Sequence, residues 1–175
     1  DLKIPMTIIL IVSDSHDNLA LVRKFVEEAS KLSPDLIIHA GDYIAPFTLK
    51  EFAKLDAPLV GVFGNNDGEK ILLKKVSEEN GFKLYEQPYT FEWDGNRFIL
   101  LHGVDGIETT KELINTLASC NEADIIVYGH THQIDIRKVN RKLIINPGSL
   151  SGYLADKPSY VVLNLDTKEV KVKYL

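Results

Sequence analysis

The sequence predicts a single-domain α/β protein with two sheets between helical layers. Short apolar runs alternate with segments of helical periodicity over about the first 80 residues, which is typical of a largely parallel sheet with helices packed against it. The later part of the chain changes to hairpins and short strands. A length of 175 residues suits one core, and the sequence shows neither a repeat nor a linker.

Three strand and helix pairs make up the first half. The segment TIILIV at residues 7–12 is short, apolar and rich in β-branched residues, so we expect a strand buried on both faces. Apolar residues then recur at helical spacing, and the same cycle repeats twice. The predicted strands cover residues 7–12, 36–40 and 59–63, and the predicted helices cover residues 19–32, 46–55 and 69–80.

Hairpins and one further helix make up the second half. Asp94-Gly95-Asn96 separates two strand-like segments and is typical of a tight β-hairpin. We predict a helix over residues 109–120. The predicted strands cover residues 89–93, 97–101, 125–128, 134–139, 143–146, 160–165 and 170–174.

Composition and charge disfavour several classes of protein. Twenty basic and 25 acidic residues give a net charge of −5, which disfavours nucleic-acid binding. The single cysteine, Cys120, excludes an internal disulfide and a cysteine-ligated cluster, and we expect it to pack on a helix. No apolar run approaches the roughly 18 residues of a membrane helix, so we expect no membrane association and a cytoplasmic location.

Two expectations concern the origin of the chain. Residues 1–5 precede the only methionine, Met6, and we expect them to be a remnant of cloning ahead of the native start. Scarce cysteine, methionine and glutamine beside plentiful lysine, glutamate and isoleucine are typical of a thermophile, although asparagine is not scarce.

Potential metal ligands follow five predicted strands at the point where each strand ends. Ligands in open α/β sheets bind beyond the carboxyl ends of the strands, so we expect these side chains to lie together. Imidazole, carboxylate and amide groups without sulfur suit Mn²⁺, Fe, Ni²⁺, Zn²⁺ or Co²⁺. Seven ligands are too many for one ion but fit two divalent transition-metal ions bridged by a carboxylate, for which Asp42 is the natural choice. The seven are Asp14, His16, Asp42, Asn65, His102, His130 and His132.

Two pairs of these residues have a spacing that predicts where their side chains point. Asp14 and His16 are two residues apart, as are His130 and His132, and an extended chain would point both side chains of a pair the same way. Each pair could then hold one ion. Glycines stand next to several proposed ligands, where a side chain would obstruct a tight turn or a bound substrate.

Five short motifs carry the proposed ligands: Asp14-Ser15-His16, Gly41-Asp42, Gly64-Asn65-Asn66-Asp67, His102-Gly103 and Gly129-His130-Thr131-His132. In order and spacing they resemble the signature of calcineurin-like metallophosphoesterases, and the small size looks most like the compact archaeal and bacterial phosphodiesterase branch. The resemblance implies a four-layer α-β-β-α sandwich with two mixed sheets and a dinuclear site at one edge. One ion would be held by Asp14, His16 and His132. The other would be held by Asn65, His102 and His130, with Asp42 between both.

The resemblance also implies an activity. Small phosphoesters, diesters and nucleotide-like molecules among them, would be hydrolysed by attack of a hydroxide that bridges the two ions. Asp42, Asn65 and His102 would carry the catalysis, while Asn66 and Asp67 would bind substrate. Asp67 could instead support Asn65 or begin the next helix. Many relatives have histidine where Asn66 stands, and asparagine cannot donate a proton to a leaving group, so we expect slower chemistry with a preference for activated or diester substrates.

Other interpretations stay open from the sequence. A retromer subunit that shares this fold acts as a protein-binding scaffold with an altered metal site, although here no ligand of the family pattern is missing. A metal-dependent nuclease is disfavoured by the acidic net charge. The chain could also form a homo-oligomer.

Five further residues have a structural alternative to a functional role. His39 lies in an apolar strand, where we expect a structural hydrogen bond rather than a metal ligand. Tyr43, Phe47, Phe63 and Tyr153 could line a substrate pocket or equally belong to the core or its rim.

Overall fold

The computed structural model describes residues 6–119 and 122–175 and confirms the α/β class with two mixed sheets. The elements in chain order are β1 (Ile8–Val12), α1 (Leu19–Ser30), β2 (Leu36–His39), α2 (Pro46–Phe52), β3 (Leu59–Val62), α3 (Lys70–Glu79), β4 (Lys83–Tyr85), β5 (Tyr89–Trp93), β6 (Asn96–Leu100), α4 (Ile107–Ser119), β7 (Ile125–Val127), β8 (Ile134–Val139), β9 (Lys142–Pro147), β10 (Ser159–Asn164) and β11 (Glu169–Tyr174). Within the described ranges, no helix has both the length and the apolar character needed to cross a membrane.

Parallel pairing occupies the middle of both sheets. The first sheet has the strand order β11-β10-β1-β2-β3-β4, with β1 to β4 parallel and β10 and β11 antiparallel to their neighbours. The second sheet has the order β5-β6-β7-β9-β8, with β6, β7 and β9 parallel. Parallel neighbours end at the same edge of a sheet, so the loops after β1, β2 and β3 lie side by side, as do those after β6 and β7.

Alternate side chains of each strand face different layers. In β1, Leu10 and Val12 pack with residues of α1, α2 and α3, whereas Ile9 and Ile11 belong to the core between the two sheets. The helix α4 packs Ile114 against the outer face of the second sheet. This arrangement confirms the α-β-β-α order.

The sequence-based predictions differ from the structure in a few places. The short strand β4 was not predicted because it has three residues and only Leu84 is buried, which is too little alternation to indicate a strand. The helix α4 begins at Ile107, two residues before its predicted start. The predictions for residues 1–5 and for Cys120 fall outside the described residues.

A core substitution tests the packing of α1 on the first sheet. The Phe25 ring lies 5.6 Å from that of Phe52 and 5.0 Å from that of Tyr160, measured between ring centroids. We expect Phe25→Ala to lower the free energy of unfolding by about 3–5 kcal/mol, because it leaves a cavity among these rings. The measurement is urea denaturation with chelator present. The exposed neighbour Lys24→Ala should change the same quantity by less than about 0.5 kcal/mol. Equal stability of the two variants would contradict this packing.

Candidate metal centre

The seven predicted ligands meet at one edge of the two sheets, in two groups. The first group contains Asp14, His16 and His132. Asp14 Oδ1 lies 3.1 Å from Nε2 of His132 and 3.7 Å from Nε2 of His16. The ligand atoms of the three residues lie within 4.8 Å of one another, a spacing that suits a single cation.

A second group surrounds His102, which is fully buried. Its Nε2 lies 3.0 Å from Oδ1 of Asn65 and 3.2 Å from Nδ1 of His130. Asp42 lies between the groups, because its Oδ2 is 3.4 Å from Nε2 of His16 and 3.5 Å from Nε2 of His102. A carboxylate in this position can reach both groups, as a bridging ligand must.

The two pairs with a spacing of two residues do not behave alike. Asp14 and His16 lie together, but their backbones are left-handed, with φ of 54° and 45°, rather than extended. His130 and His132 also have positive φ, and their rings go to different groups. The spacing argument is wrong for the two histidines, because it assumed an extended backbone that is absent here. They lie in different groups, which is the division that the family resemblance implies.

Three backbone carbonyls orient histidine rings in the site. Each accepts a hydrogen bond from the ring nitrogen remote from the cluster: Ala40 from Nδ1 of His102, Asp105 from Nε2 of His130, and Tyr153 from Nδ1 of His132. A carbonyl oxygen can only accept, so each ring carries a proton on the nitrogen that faces the carbonyl. In the neutral ring the other nitrogen bears a lone pair, and that lone pair points into the cluster.

With these rings neutral, the cluster contains acceptor atoms that face one another, so that a proton on a ring or a cation is needed between them. Asp14 Oδ1 and His16 Nε2 are buried and have no hydrogen-bond partner. A buried polar atom without a partner is costly, and a cation is the partner that satisfies several lone pairs at once. The donor set of nitrogen and oxygen atoms fits a divalent transition-metal ion.

Neighbouring histidines decide the charge of Asp14. Burial by itself would raise the pKa of Asp14, but the hydrogen bonds and positive charge of the surrounding histidines outweigh burial and hold this pKa well below its usual range. For His132 the two effects have the opposite signs. Burial by itself would lower the pKa of this histidine, but the Asp14 carboxylate raises that pKa above its usual value. Asp14 is thus ionised at neutral pH and available to a cation.

Asp67 supports the loops that carry the ligands. It is 3% exposed, and its carboxylate accepts the backbone N–H groups of Gly64 at 2.7 Å, Ile44 at 2.8 Å and Asp42 at 2.9 Å. Burial raises the pKa of Asp67, and these three donors oppose the rise. Both of its oxygens accept backbone N–H groups, so substrate binding by Asp67 stays a prediction that this geometry does not support. Its geometry agrees with the alternative of a supporting role.

Asn66 turns toward Asp42. Its backbone N–H donates to Oδ1 of Asp42 at 2.9 Å, and its side-chain Nδ2 donates to Oδ2 at 2.8 Å. The close approach depends on Gly64, since a Cβ atom at that position would lie 2.1 Å from Asp42 Oδ1. In this structure the amide of Asn66 holds the central carboxylate, and substrate binding by Asn66 stays a prediction.

Three side chains outside the predicted ligand set fix the ligand loops. Gln87 Oε1 accepts the backbone N–H of His102 at 2.8 Å. Asn146 is buried in β9 and donates to Oγ1 of Thr131 at 3.0 Å, while Ser13 Oγ donates to the carboxylate of the next residue. A polar residue at the end of an apolar strand is a signal for Asn146. No local signal marks Gln87, because its partner lies 15 residues away.

His39 is a structural residue, which confirms the prediction. Its Nδ1 accepts the backbone N–H of Gly41 at 3.1 Å, so the ring proton lies on Nε2, which donates to Oγ of Ser15 at 2.8 Å. Burial lowers the pKa of His39 to about 3, so the ring is neutral. A ring that already donates to Ser15 cannot act as a base toward it, which excludes a Ser-His nucleophile at this position.

Comparison with known families identifies the domain. Residues 6–168 match the family model of the calcineurin-like phosphoesterase superfamily domain. The chain belongs to this superfamily. A phosphodiesterase from Methanocaldococcus jannaschii is 33% identical to it over 165 residues, which cover 92% of this chain and 95% of that protein. This calcineurin-like domain is therefore a metal-dependent phosphoesterase, as the resemblance of its motifs implies.

Solved structures support the fold of the phosphoesterase. An archaeal phosphodiesterase superposes with a TM-score of 0.89 at 31% identity, covering 97% of this chain and 100% of that one. Vps29 from Entamoeba histolytica, solved in complex with Zn²⁺, has a TM-score of 0.66 at 18% identity, covering 97% and 98% of the two chains. At that identity the second likeness shows the shared fold alone.

The supporting role of Asp67 can be tested with an isosteric change. We expect Asp67→Asn to lower the free energy of unfolding by about 1–3 kcal/mol, because its amide group would face backbone donors that now bind a carboxylate. Metal affinity should fall by about 10–100-fold, as is typical when a partner of metal-bearing loops is lost. Denaturation and metal titration measure the two quantities.

The matched control for this change is Asp56→Asn, at an exposed loop position, which should leave both quantities near those of the wild type. If Asp67→Asn changed only the KM for substrate, with stability and metal affinity intact, the supporting role would be wrong.

Proposed function

We propose that this phosphoesterase is a dinuclear enzyme that hydrolyses phosphodiesters. The observation that carries the proposal is the position of Asp42, whose Oδ2 faces one ligand group at 3.4 Å and the other at 3.5 Å. A carboxylate between two sets of lone pairs suits a pair of cations held close together. The relationship to the Methanocaldococcus jannaschii phosphodiesterase supports a diester as the substrate class.

The ligand groups would divide between the two ions. One ion would be held by Asp14, His16 and His132. The other would be held by Asn65, His102 and His130, with Asp42 reaching both. When bound, such ions lower the pKa of a water and neutralise charge that develops on a phosphate under attack. Mn²⁺, Ni²⁺, Fe, Zn²⁺ and Co²⁺ all suit nitrogen and oxygen donors.

The residues of the chain contribute position and charge. We assign catalytic roles to Asp42, Asn65 and His102, because they occupy the centre of the cluster and would contact an ion directly. Asn66 holds Asp42 through two hydrogen bonds, and its amide has no titratable proton to give a leaving group. A poor leaving group would therefore depart without acid assistance from Asn66.

Several expectations from composition accompany the proposal. A small phosphoester is the preferred substrate over a nucleic acid, because a chain of net charge −5 repels a long polyanion. The cytoplasmic location, the thermophilic origin and a homo-oligomeric state stay predictions.

A protein-binding scaffold is the second candidate function, because the sequence also resembles a retromer subunit that acts as one; the fold shared with Vps29 is compatible with either function. The two functions differ in what purified protein should do after chelation and addition of Mn²⁺ or Ni²⁺. An enzyme should bind the metal and hydrolyse bis(p-nitrophenyl) phosphate, whereas a scaffold should be inert toward both this diester and p-nitrophenyl phosphate. The complete ligand set favours the enzyme.

The dinuclear proposal predicts a specific result for Asp42→Asn. This change removes the charge that both ions would share, so metal content should fall from about two ions per chain to one or fewer. Hydrolysis should fall by more than about 100-fold. This loss is larger than the one typical of removing a residue that supports a metal ligand without touching the ion. Metal analysis and initial rates on bis(p-nitrophenyl) phosphate provide the measurements.

Glu51, in the helix α2, provides a control for Asp42→Asn. Glu51 is nearly buried and pairs with Arg23 and Lys54, so Glu51→Gln removes a carboxylate without touching the cluster. This variant should keep the metal content and activity of the wild type. Two ions and full activity in Asp42→Asn would remove the dinuclear proposal.

The position of Asn66 predicts a strong dependence on the leaving group. Among aryl methyl phosphates, the rate should fall steeply as the phenol becomes less acidic, because nothing at Asn66 protonates the departing oxygen. Asn66→His should make this dependence shallower, since acid assistance is worth about 10²–10⁴-fold for poor leaving groups. Asn66→Ala also loses the side-chain hydrogen bond to Asp42, so it separates that loss from the effect of the new histidine. Measurement of metal content shows whether each variant still binds its ions. Equal slopes in the three proteins would contradict this account of Asn66.

A further inference from the structure

Tyr153 lies beside the candidate metal centre, in the loop between β9 and β10. Its ring centroid is 5.8 Å from that of His16 and 6.0 Å from that of His132, two ligands of the first group. Of the four aromatic residues considered from the sequence, Tyr43 and Phe63 belong to the core. Tyr153 is 60% exposed, so its ring is available at the rim of the site.

Hydrogen bonds hold the backbone of Tyr153 beside the ligands. The Tyr153 carbonyl accepts the hydrogen bond from Nδ1 of His132, and its N–H donates to Oγ of Ser151 at 3.2 Å. The N–H of Ser151 in turn donates to the carbonyl of Asp14 at 3.2 Å. The backbone of Tyr153 is therefore tied to two ligands, which places its side chain at the rim of the site beside the rings of His16 and His132.

The hydroxyl of Tyr153 differs from those of three buried tyrosines in its hydrogen bonding. The hydroxyls of Tyr43, Tyr128 and Tyr160 all donate hydrogen bonds within the protein. Within the described ranges, no protein group hydrogen-bonds the hydroxyl of Tyr153. An exposed aromatic face whose hydroxyl is free of such bonds is suited to contact a ligand.

A cavity of about 430 Å³ opens beside this ring. Its lining residues are His16, Asn18, Ser151, Gly152 and Tyr153. One of these residues, His16, is a ligand of the first group, so the cavity borders the candidate metal centre as well as the tyrosine.

We propose that Tyr153 is a specificity residue that stacks against a planar aromatic substituent of the phosphodiester, such as a nucleobase or an aryl group. This inference rests on the proposed function and adds the class of substituent that the site prefers. Stacking of a base on an aromatic side chain is typically worth about 1–3 kcal/mol, which corresponds to roughly 5–150-fold in affinity. Tyr153 would act in binding and take no part in bond breaking.

Two diesters with the same leaving group test the proposal. Bis(p-nitrophenyl) phosphate keeps an aryl group on phosphorus when nitrophenolate leaves, whereas methyl p-nitrophenyl phosphate keeps a methyl group. We expect Tyr153→Leu to lower the ratio of kcat/KM for the first diester over the second by roughly 10-fold, mainly through KM. Tyr153→Phe retains the ring and should keep the wild-type ratio.

Metal content provides the structural control, because the backbone carbonyl that orients His132 remains in both variants. An unchanged ratio in Tyr153→Leu would overturn the stacking proposal, as would an equal loss in Tyr153→Phe. In either case metal-dependent hydrolysis by the wild type would leave the proposed function intact. Failure of the wild type to hydrolyse either diester with added metal would instead remove the proposed function.

Discussion

Crowding of hydrogen-bond acceptors at one edge of two sheets is the constraint on which the structure depends. Asp14 Oδ1 and His16 Nε2 are buried without a partner, and the lone pair of His132 faces the same carboxylate oxygen. Such an arrangement is unfavourable unless a proton or a cation lies between these atoms, and a cation satisfies several of them at once. Several ligands also have left-handed backbones, a conformation that costs about 1–3 kcal/mol for a residue other than glycine and persists only where surrounding contacts impose it.

The contacts that impose this geometry come from distant parts of the chain. His102 follows a strand of the second sheet, yet the carbonyl that orients its ring belongs to Ala40, which follows a strand of the first. The site therefore forms only when the two sheets pack together. Because a bound ion would stabilise the native state alone, metal binding and the packing of the intersheet core should reinforce each other.

Binding and chemistry are assigned to different loops. The loops after the parallel strands supply the ligands, and the amide of Asn66 holds Asp42. The loop between β9 and β10 orients His132 through a backbone carbonyl and presents the ring of Tyr153 beside it. A substitution of that ring can alter substrate preference while the carbonyl keeps its role, so specificity can change independently of the metal centre.

The sequence by itself determined the fold class, the strand ends and all seven candidate ligands. These features are local, because apolar periodicity defines a strand and the chemistry of a side chain defines a ligand. Only the tertiary structure decided that Asp67 binds backbone N–H groups and that Tyr153 borders the site, and only it decided between residue spacing and the family resemblance for His130 and His132, which face different groups. Each of these depends on which backbone groups from remote segments come within hydrogen-bonding distance, and the spacing of residues along the chain carries no information about that.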